Sequence, residues 1–483
     1  MGINILVLTF EYDAFTFSGN GVYAQSLVRG LEMVEGVSVD VVCGGPFGAE
    51  NCQPPSKAAV VVNLPRWGHL DASCCFREFA AQVNARLDEY YESRAWPDLV
   101  LGVDWHVLQV YEHLSRKKPL PMVYLNFRVF SRSGPPGASQ HGAAFFKAQE
   151  FAMMDRSWLT LALSETDAAC LRELHPNAEV RVLLPPIRAD VMARAQRPLR
   201  KADVPERHLI TCCVRLSDEK EPERFVRLVE NLAERKAFDG VFGYKVGLRP
   251  VLVTGRCDVD TPLVRRFLDA HPETDVYAFL DAEGLEELYR KSLLHVHPPA
   301  YDPFGMAVAE AAAFGAPTVF LKGADVGAKT ILQRGDTPEL DPRTGKELFD
   351  QDAFFEFDLD DDHAGYVAPE DRPTTADLEQ LDEFDRRRWI HKHEDAVTEL
   401  LRLVRDESRL RDVGRLAKKR ALPWTEKAHG ARLMDFLVPI LSEAQEAKRQ
   451  LQVKEERVRP KGGRVRLQNF RRPEPAPIKK CWV

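Results

Sequence analysis

The feature that most constrains the fold is an alternation, met twice along the chain, of short apolar runs with longer amphipathic stretches. Residues 3–10 make the first run, apolar at most positions. A strand without polar alternation has both faces buried, the habit of a central strand in a parallel sheet. Residues 22–33 then carry helical spacing, and 37–42, 99–103, 122–125 and 159–163 give further strands. Ser164 stands where a helix N-cap is wanted, with Glu165 and Asp167 in the first turn to meet the helix dipole. Strands alternating with helices predict a doubly wound α/β sheet.

The pattern stops at Pro185-Pro186, passes through a charged stretch to about Glu206, and starts again. Residues 208–214, 251–254, 276–278, 294–297 and 318–321 read as a second set of strands. At 483 residues the chain exceeds what one core holds. The fold class expected is α/β, two doubly wound, Rossmann-like domains facing across a ligand cleft. Their expected spans are residues 1–190 and 205–422, with a closing helix over 423–442. Two segments fall outside the pattern. Residues 323–363 are turn-rich and acidic and read as an insertion loop. From 443 the chain becomes a charged helix and then a disordered tail, with about a dozen Lys and Arg against about five acids.

A net charge of −7 makes the chain as a whole no binder of polyanions, and no nucleic-acid partner is predicted. The basic tail is a candidate contact for an acidic membrane or protein surface. No apolar run approaches the ~18 residues needed to span a bilayer. The chain enters its first strand at once, without a signal-peptide core, and the patterns for myristoylation and prenylation are missed. Nine cysteines, none in a C-x-x-C pair, fit reduced thiols in a cytoplasmic protein. No metal-ligand cluster is visible; His295 and His297 alternate along a strand and read as core or cleft-lining residues.

The strongest chemical signal is residues 298–317, Pro-Pro-Ala-Tyr-Asp-Pro-Phe-Gly-Met-Ala-Val-Ala-Glu followed by Ala-Ala-Ala-Phe-Gly-Ala-Pro. A strand ends at the two prolines and a helix begins near Phe304. Gly305 permits a close approach of a ligand to the backbone, and the first helical N–H groups, Met306 among them, suit a phosphate. Glu310 lies about 7–8 Å further along at 1.5 Å per residue, the span from a diphosphate to a ribose whose hydroxyls a carboxylate accepts. Asp302 can accept from sugar hydroxyls. Taken by themselves, Asp302 is equally an N-cap and Glu310 a surface helix residue.

This block resembles the E-x7-E motif of retaining glycosyltransferases of the GT-B type, specifically family 4, with Asp302 and Glu310 in the carboxylate positions. Phe304-Gly305, Glu310-Ala311 and Gly315-Ala316-Pro317 match as well. A second segment, Arg215-Leu216-Ser217-Asp218-Glu219-Lys220, is similar to the family's G-R-L-x-x-x-K-G: two cations past a strand end can neutralise a diphosphate leaving group. Ser18-Gly19-Asn20-Gly21 follows the first strand, where the family carries a glycine-rich loop facing the donor phosphate and acceptor. Residues 163–165, 276–280 with Leu288 and Tyr289, and 365–371, and Trp424 with the helix after it, extend the resemblance over most of residues 1–435.

The resemblance implies a metal-independent, retaining transfer of a hexose from a UDP- or GDP-sugar to an acceptor hydroxyl, with no cofactor beyond the donor itself. It assigns Arg215 and Lys220 to the diphosphate and Glu310 to the ribose. Asp302, Phe304, Gly305 and Met306 go to the donor sugar and phosphate, Gly19 and Gly21 to the facing loop, and residues 1–190 to the acceptor. Departures fall in both halves and bear on the acceptor side and the sugar preference. Asp302 replaces the usual Glu, Glu221-Pro222 follows Lys220 where Gly is usual, Asn126-Phe127-Arg128 stands where a His is common, and Gly-Gly-x-x-Glu is reduced to Val326-Gly327-Ala328. Asn126, Arg128 and His106 are the acceptor-side candidates, His106 with a structural role as its alternative. These departures leave open a second class, an inert GT-B scaffold within a larger assembly. A phosphorylase would need a pyridoxal phosphate lysine site, which is not recognisable.

Overall fold

The computed structural model describes residues 2–16, 18–46, 57–64, 75–132, 140–198, 205–234, 248–255, 260–270, 272, 274–333, 352–359 and 396–458. Residues 365–371, the tail beyond Val458, and Cys52, Cys74, Cys257 and Cys481 lie outside them. Contacts divide the chain into two units, Met1–Arg188 with Trp424–Val483, and Ala189–Pro423.

The first unit is a seven-stranded parallel sheet. Its strands are β1 (Ile3–Leu8), β2 (Val37–Pro46), β3 (Ala58–Leu64), β4 (Leu99–Val103), β5 (Met122–Leu125), β6 (Leu159–Ala162) and β7 (Val180–Val182), in the spatial order 3-2-1-4-5-6-7. Between them run α1 (Gly19–Glu32), α2 (Cys75–Tyr90), α3 (Leu108–Lys117), α4 (Gln140–Arg156) and α5 (Glu165–Leu174). The apolar run at the N-terminus serves two cores at once. Leu6 and Leu8 point into a cluster with Phe79, Val83, Val110 and Leu114 of α2 and α3. Ile5 and Val7 point to the other face, with Tyr23, Leu27 and Leu31 of α1. Successive side chains of a strand alternate faces, so a sheet covered on both sides requires apolar residues at consecutive positions.

The second unit repeats this plan. Its sheet orders β8 (Leu209–Cys213), β9 (Arg249–Val253), β10 (Asp275–Tyr277), β11 (Ser292–His297), β13 (Thr318–Leu321) and β15 (Phe354–Phe357) as β10-β9-β8-β11-β13-β15, every pair parallel. A small separate ladder pairs β12 (Tyr301–Asp302) with β14 (Asp325–Val326). The helices are α6 (Ala189–Ala195), α7 (Glu223–Glu234), α8 (Pro262–Ala270), α9 (Ala282–Lys291), α10 (Met306–Ala313), α11 (Lys329–Leu332), α12 (Ala396–Arg405) and α13 (Glu407–Ala421). In each sheet the chain works outward one way, returns to the centre and works outward the other way. That reversal leaves a switch point at the carboxyl ends of β1 and β4, and of β8 and β11.

Two expectations are revised. The Ser18–Gly21 segment is no loop: Ser18 caps α1, its hydroxyl accepting from Asn20 N at 3.2 Å, so Gly19 to Gly21 form the first helical turn. The stretch 323–363 is not wholly outside the core, because 354–357 add strand β15 beside β13. Phe355 and Phe357 are buried while Glu356 is exposed, an alternation hidden in the sequence by the acids around it.

The last helix, α14 (Glu426–Val458), belongs to the first unit and lies across α1. Leu433 and Leu437 join the core with Ile5 and Val7. His429 Nδ1 donates to Leu184 O (3.1 Å), and Ile187 N donates to Trp424 O (2.8 Å), so the returning chain is fastened where it enters. The crossing is close because glycines meet there: a Cβ on Gly430 would overlap the Gly30 carbonyl. Among the described residues no helix is long and apolar enough to cross a membrane. Replacing Gly430 by Ala should force the helices apart and cost about 1–3 kcal/mol, the usual range for overpacking. A melting curve of Gly430→Ala that superimposes on the wild type would contradict this account of the crossing.

Candidate functional site

In the second unit the carboxyl ends of β8 and β11 bring together the two segments singled out by sequence. After β8 the chain passes Arg215 and makes a short 3-10 turn, Asp218–Lys220, that Lys220 N closes on Ser217 O at 2.8 Å. After β11 it runs through Pro298-Pro299 into β12 and α10. Lys220 Nζ donates to Asp302 Oδ2 at 2.7 Å, which joins the two segments. The His297 Nε2 stands 3.3 Å from the same oxygen, and Gly305 N donates to Oδ1 at 3.1 Å.

Asp302 is buried at 8% exposure. Burial pushes its pKa up, but the Lys220 charge and the His297 ring outweigh this and hold it well below the usual carboxylate range. His297 is itself buried, and burial keeps its pKa below the ordinary imidazole value despite the carboxylate beside it. Among the described residues no group of three or more His, Cys, Asp and Glu side chains could hold a metal ion.

The conformation around Asp302 depends on two left-handed residues. Gly305 has φ +84° at the head of α10, and a Cβ there would come within 2.9 Å of Val326 Cγ1. Glu221 has φ +47°, the conformation for which glycine is favoured, at a cost of roughly 1–2 kcal/mol. Its carboxylate offsets that cost: Oε2 accepts from Ala300 N at 2.5 Å and pairs with Arg224, tying the 3-10 turn to the segment before β12. The Glu221-Pro222 departure therefore keeps the turn rather than abolishing it.

Arg215 lies partly exposed, its Nη2 3.1 Å from Glu219 Oε1. Its stem rests on Gly255, where a Cβ would come within 2.8 Å of Arg215 Cγ. Phe304 is buried and Met306 opens α10. Glu310 is the fifth residue of α10 and is buried at 8% exposure; its charge bears on Cys213, which burial raises to about 12, and on Tyr289. The reduced Val326-Gly327-Ala328 segment packs on the same loop, Gly327 N donating to Asp302 O (3.2 Å) and Ala328 N to Phe304 O (2.6 Å). Next to it Lys329 is buried, pairs with Glu356, and lies over the rings of Phe320 and Phe354. Sequence reading gave Glu221 only as a departure after Lys220 and His297 only as a core or cleft-lining residue, and it missed Gly255 and Lys329.

In the first unit the β1 and β4 ends carry a buried polar cluster. Ser18 donates from N and Oγ to the Glu11 carboxylate (2.7 and 2.5 Å). Asp104, at φ +56°, accepts from Asn20 Nδ2 (2.6 Å) and Phe127 N (2.9 Å), and burial raises its pKa to about 7. Glu150 accepts from Phe130 N and Ser131 N. Gly19 and Gly21 admit close neighbours: a Cβ on Gly21 would overlap Thr16 Oγ1, and one on Gly19 would reach the Phe127 ring at 3.1 Å.

His106 is buried, stacked on Trp105 at 4.1 Å between ring centroids, and burial lowers its pKa to about 3. Asn126 is buried and donates to Tyr124 Oη (2.7 Å), while the Arg128 guanidinium lies 5.9 Å from the centre of the Phe130 ring. Glu11, Asp104 and Glu150 were not anticipated, although an acid at a strand end was visible at 104.

Residues 199–337 match the family described as glycosyl transferases group 1. No curated protein matches the chain by sequence. Among solved structures, sucrose-phosphate synthase from Thermosynechococcus elongatus is similar with a TM-score of 0.63 at 14% identity, over 91% of this chain and 99% of that one. HepE of Anabaena in complex with UDP-glucose gives 0.56 at 13% over 90% and 100%. The trehalose 6-phosphate synthase of Burkholderia multivorans gives 0.55 at 12% over 96% and 100%. The fold is thus the two-domain, Rossmann-like GT-B fold.

The charge state of Asp302 can be read from stability. A carboxylate whose folded pKa is depressed adds stability that is complete above its unfolded value, about 4, and is lost as pH falls through the folded value. Melting temperatures of wild type and Asp302→Asn should differ by a constant amount between about pH 7 and about pH 5 and converge on further acidification. A gap that widens in acid would mean that Asp302 is protonated in the native site.

Proposed function

We propose that the chain is a GT-B glycosyltransferase that moves a sugar from a nucleoside diphosphate sugar to an acceptor hydroxyl. The observation that carries this reading is the convergence of Arg215, Lys220, Asp302 and the head of α10 on the β8–β11 switch point, inside the segment matching glycosyl transferases group 1. A ligand in an open α/β sheet binds at such a point, and unpaired N–H groups of a helix start favour an anion. HepE, of the same fold, is described in complex with UDP-glucose, which supports a UDP-sugar; a GDP-sugar is the alternative.

In this reading Arg215 and Lys220 neutralise the leaving diphosphate, Glu310 accepts the ribose hydroxyls, and Asp302 with the Phe304–Met306 backbone meets the donor sugar and phosphate. Transfer proceeds with retention and without a metal, the departing phosphate oxygen taking the acceptor proton. Gly19 and Gly21 are assigned to donor binding by the same resemblance. The acceptor goes to the first unit, where Asn126 and Arg128 stay the candidates and Glu11 and Asp104 are added as acceptors of hydroxyl hydrogen bonds, while His106, buried among Phe10, Trp105 and Phe130, takes its structural alternative. The basic stretch from 443 onward is read as a contact for an acidic membrane or protein surface, in which case binding to anionic vesicles weakens steeply with salt.

Titration with UDP-, GDP- and ADP-glucose tests the donor, because a bound ligand raises the melting temperature. Glu310→Gln should weaken donor and free nucleoside diphosphate by roughly tenfold to a hundredfold, since a charge-assisted hydrogen bond is worth roughly 1.5–3 kcal/mol. Unchanged affinity in a folded mutant would move the ribose elsewhere. Arg215→Ala and Lys220→Ala should each lower nucleoside diphosphate release, assayed over a panel of hydroxylated acceptors, by on the order of a hundredfold. If the wild type binds none of the three nucleotide sugars, the chain is an inert scaffold of this fold.

A further inference from the structure

We propose that His297 is a positioning residue of this site, acting through Asp302. The inference rests on the donor reading above. His297 is the last residue of β11 and 1% exposed. Its ring is fixed from the sides by His295 and by the edge of Phe320, with centroids 6.1 and 5.9 Å away. Its Nε2 faces two parts of the site at once, lying 3.3 Å from Asp302 Oδ2 and about where a side chain on Gly305 would begin, 3.5 Å from such a Cβ.

A neutral imidazole has one N–H and one lone pair. Only the tautomer with the proton on Nε2 presents a donor to a carboxylate; the other would set a lone pair against a negative oxygen. The 3.3 Å approach is long and off the line of a straight hydrogen bond. The charged and titratable groups facing the ring are Asp302, Lys220, Lys329 and His295.

Asp302 Oδ2 thus has two partners on different elements, the Lys220 ammonium from the 3-10 turn and the His297 ring from β11, while Oδ1 takes Gly305 N. His297 shares Oδ2 with Lys220. Without it the carboxylate can turn about its Cβ–Cγ bond, and Lys220 and the Gly305 turn lose their common anchor. In this reading His297 fixes the residues that meet phosphate and sugar.

The experiment compares His297→Leu, which keeps the apolar packing, with His297→Gln, which keeps an N–H donor, each with a melting curve. Affinity is measured for UDP-, GDP- and ADP-glucose. His297→Leu should weaken the nucleotide sugar that binds the wild type by roughly tenfold to a hundredfold, and His297→Gln should recover most of that loss. In an Asp302→Asn background His297→Leu should cost little more, since residues acting through one group are non-additive. Wild-type affinity in His297→Leu, or a full additive loss in the double mutant, overturns the proposal.

A second measurement needs no ligand. Spectra of selectively 15N-histidine-labelled protein should show His297 with its proton on Nε2, perturbed in Asp302→Asn; a proton on Nδ1 overturns the proposal. Failure of the wild type to bind any of the three nucleotide sugars sinks the donor reading instead, and these spectra then decide the coupling of His297 to Asp302 alone.

Discussion

A buried carboxylate is unfavourable unless its charge and lone pairs are met, and in the second unit Asp302 is met from three directions. Lys220, His297 and Gly305 N come from the turn after β8, the end of β11 and the start of α10. The three elements are separate in sequence and touch at this group. Its position makes the rest of the site possible: Lys220 is held forward, the left-handed Gly305 turn is pinned, and α10 starts with its N-terminus at the switch point. The backbone carbonyl of the same residue takes Gly327 N, so the loop beyond β13 is fastened as well.

Around this node the chain accepts local strain where a carboxylate can offset it. Glu221 sits in a conformation better suited to glycine, and its side chain bridges Ala300 N and Arg224. Asp104 in the first unit is similar: a left-handed residue whose two oxygens serve Asn20 and Phe127. In both cases an acid in the loop beyond a central strand ties down a neighbouring segment. That is a physical reason for acids to recur at the carboxyl ends of parallel strands, where loops carrying unpaired N–H groups converge.

The duplicated Rossmann plan has a consequence for tolerance to change. With Ile5 and Val7 in one core and Leu6 and Leu8 in the other, none of these four residues is free to vary toward polarity without burying a polar group. The helices that cover the sheets are less constrained, and their approach is decided by small residues. Gly30 against Gly430 sets the distance between α1 and α14, and Gly315 against Gly414 does the same between the end of α10 and α13.

How much of this was legible beforehand follows from the range of each interaction. Apolar runs, the two prolines that end β11, Gly305 and the spacing from Asp302 to Glu310 are local patterns, and they marked both sheets and the segment at the switch point. Ser18 as a cap is local too, yet the glycines after it outweighed it and the first turn of α1 was read as a loop. Strand β15 was hidden because its Phe residues stand among acids, and a four-residue run acquires meaning only when β13 offers it a hydrogen-bonding edge. Gly305 and His297 lie three and five positions from Asp302, but its Lys220 partner could not be read from sequence: it is 82 positions away, and no periodicity links them. Sequence by itself determined five strands of each sheet and which carboxylates and cations stand at strand ends, because burial and capping act over a few residues. Only the tertiary structure decided that Lys220, His297 and Gly305 share one carboxylate, that Glu221 keeps a glycine's turn, and that His106 is sealed among aromatic rings, because those outcomes depend on the order in which parallel strands lie side by side.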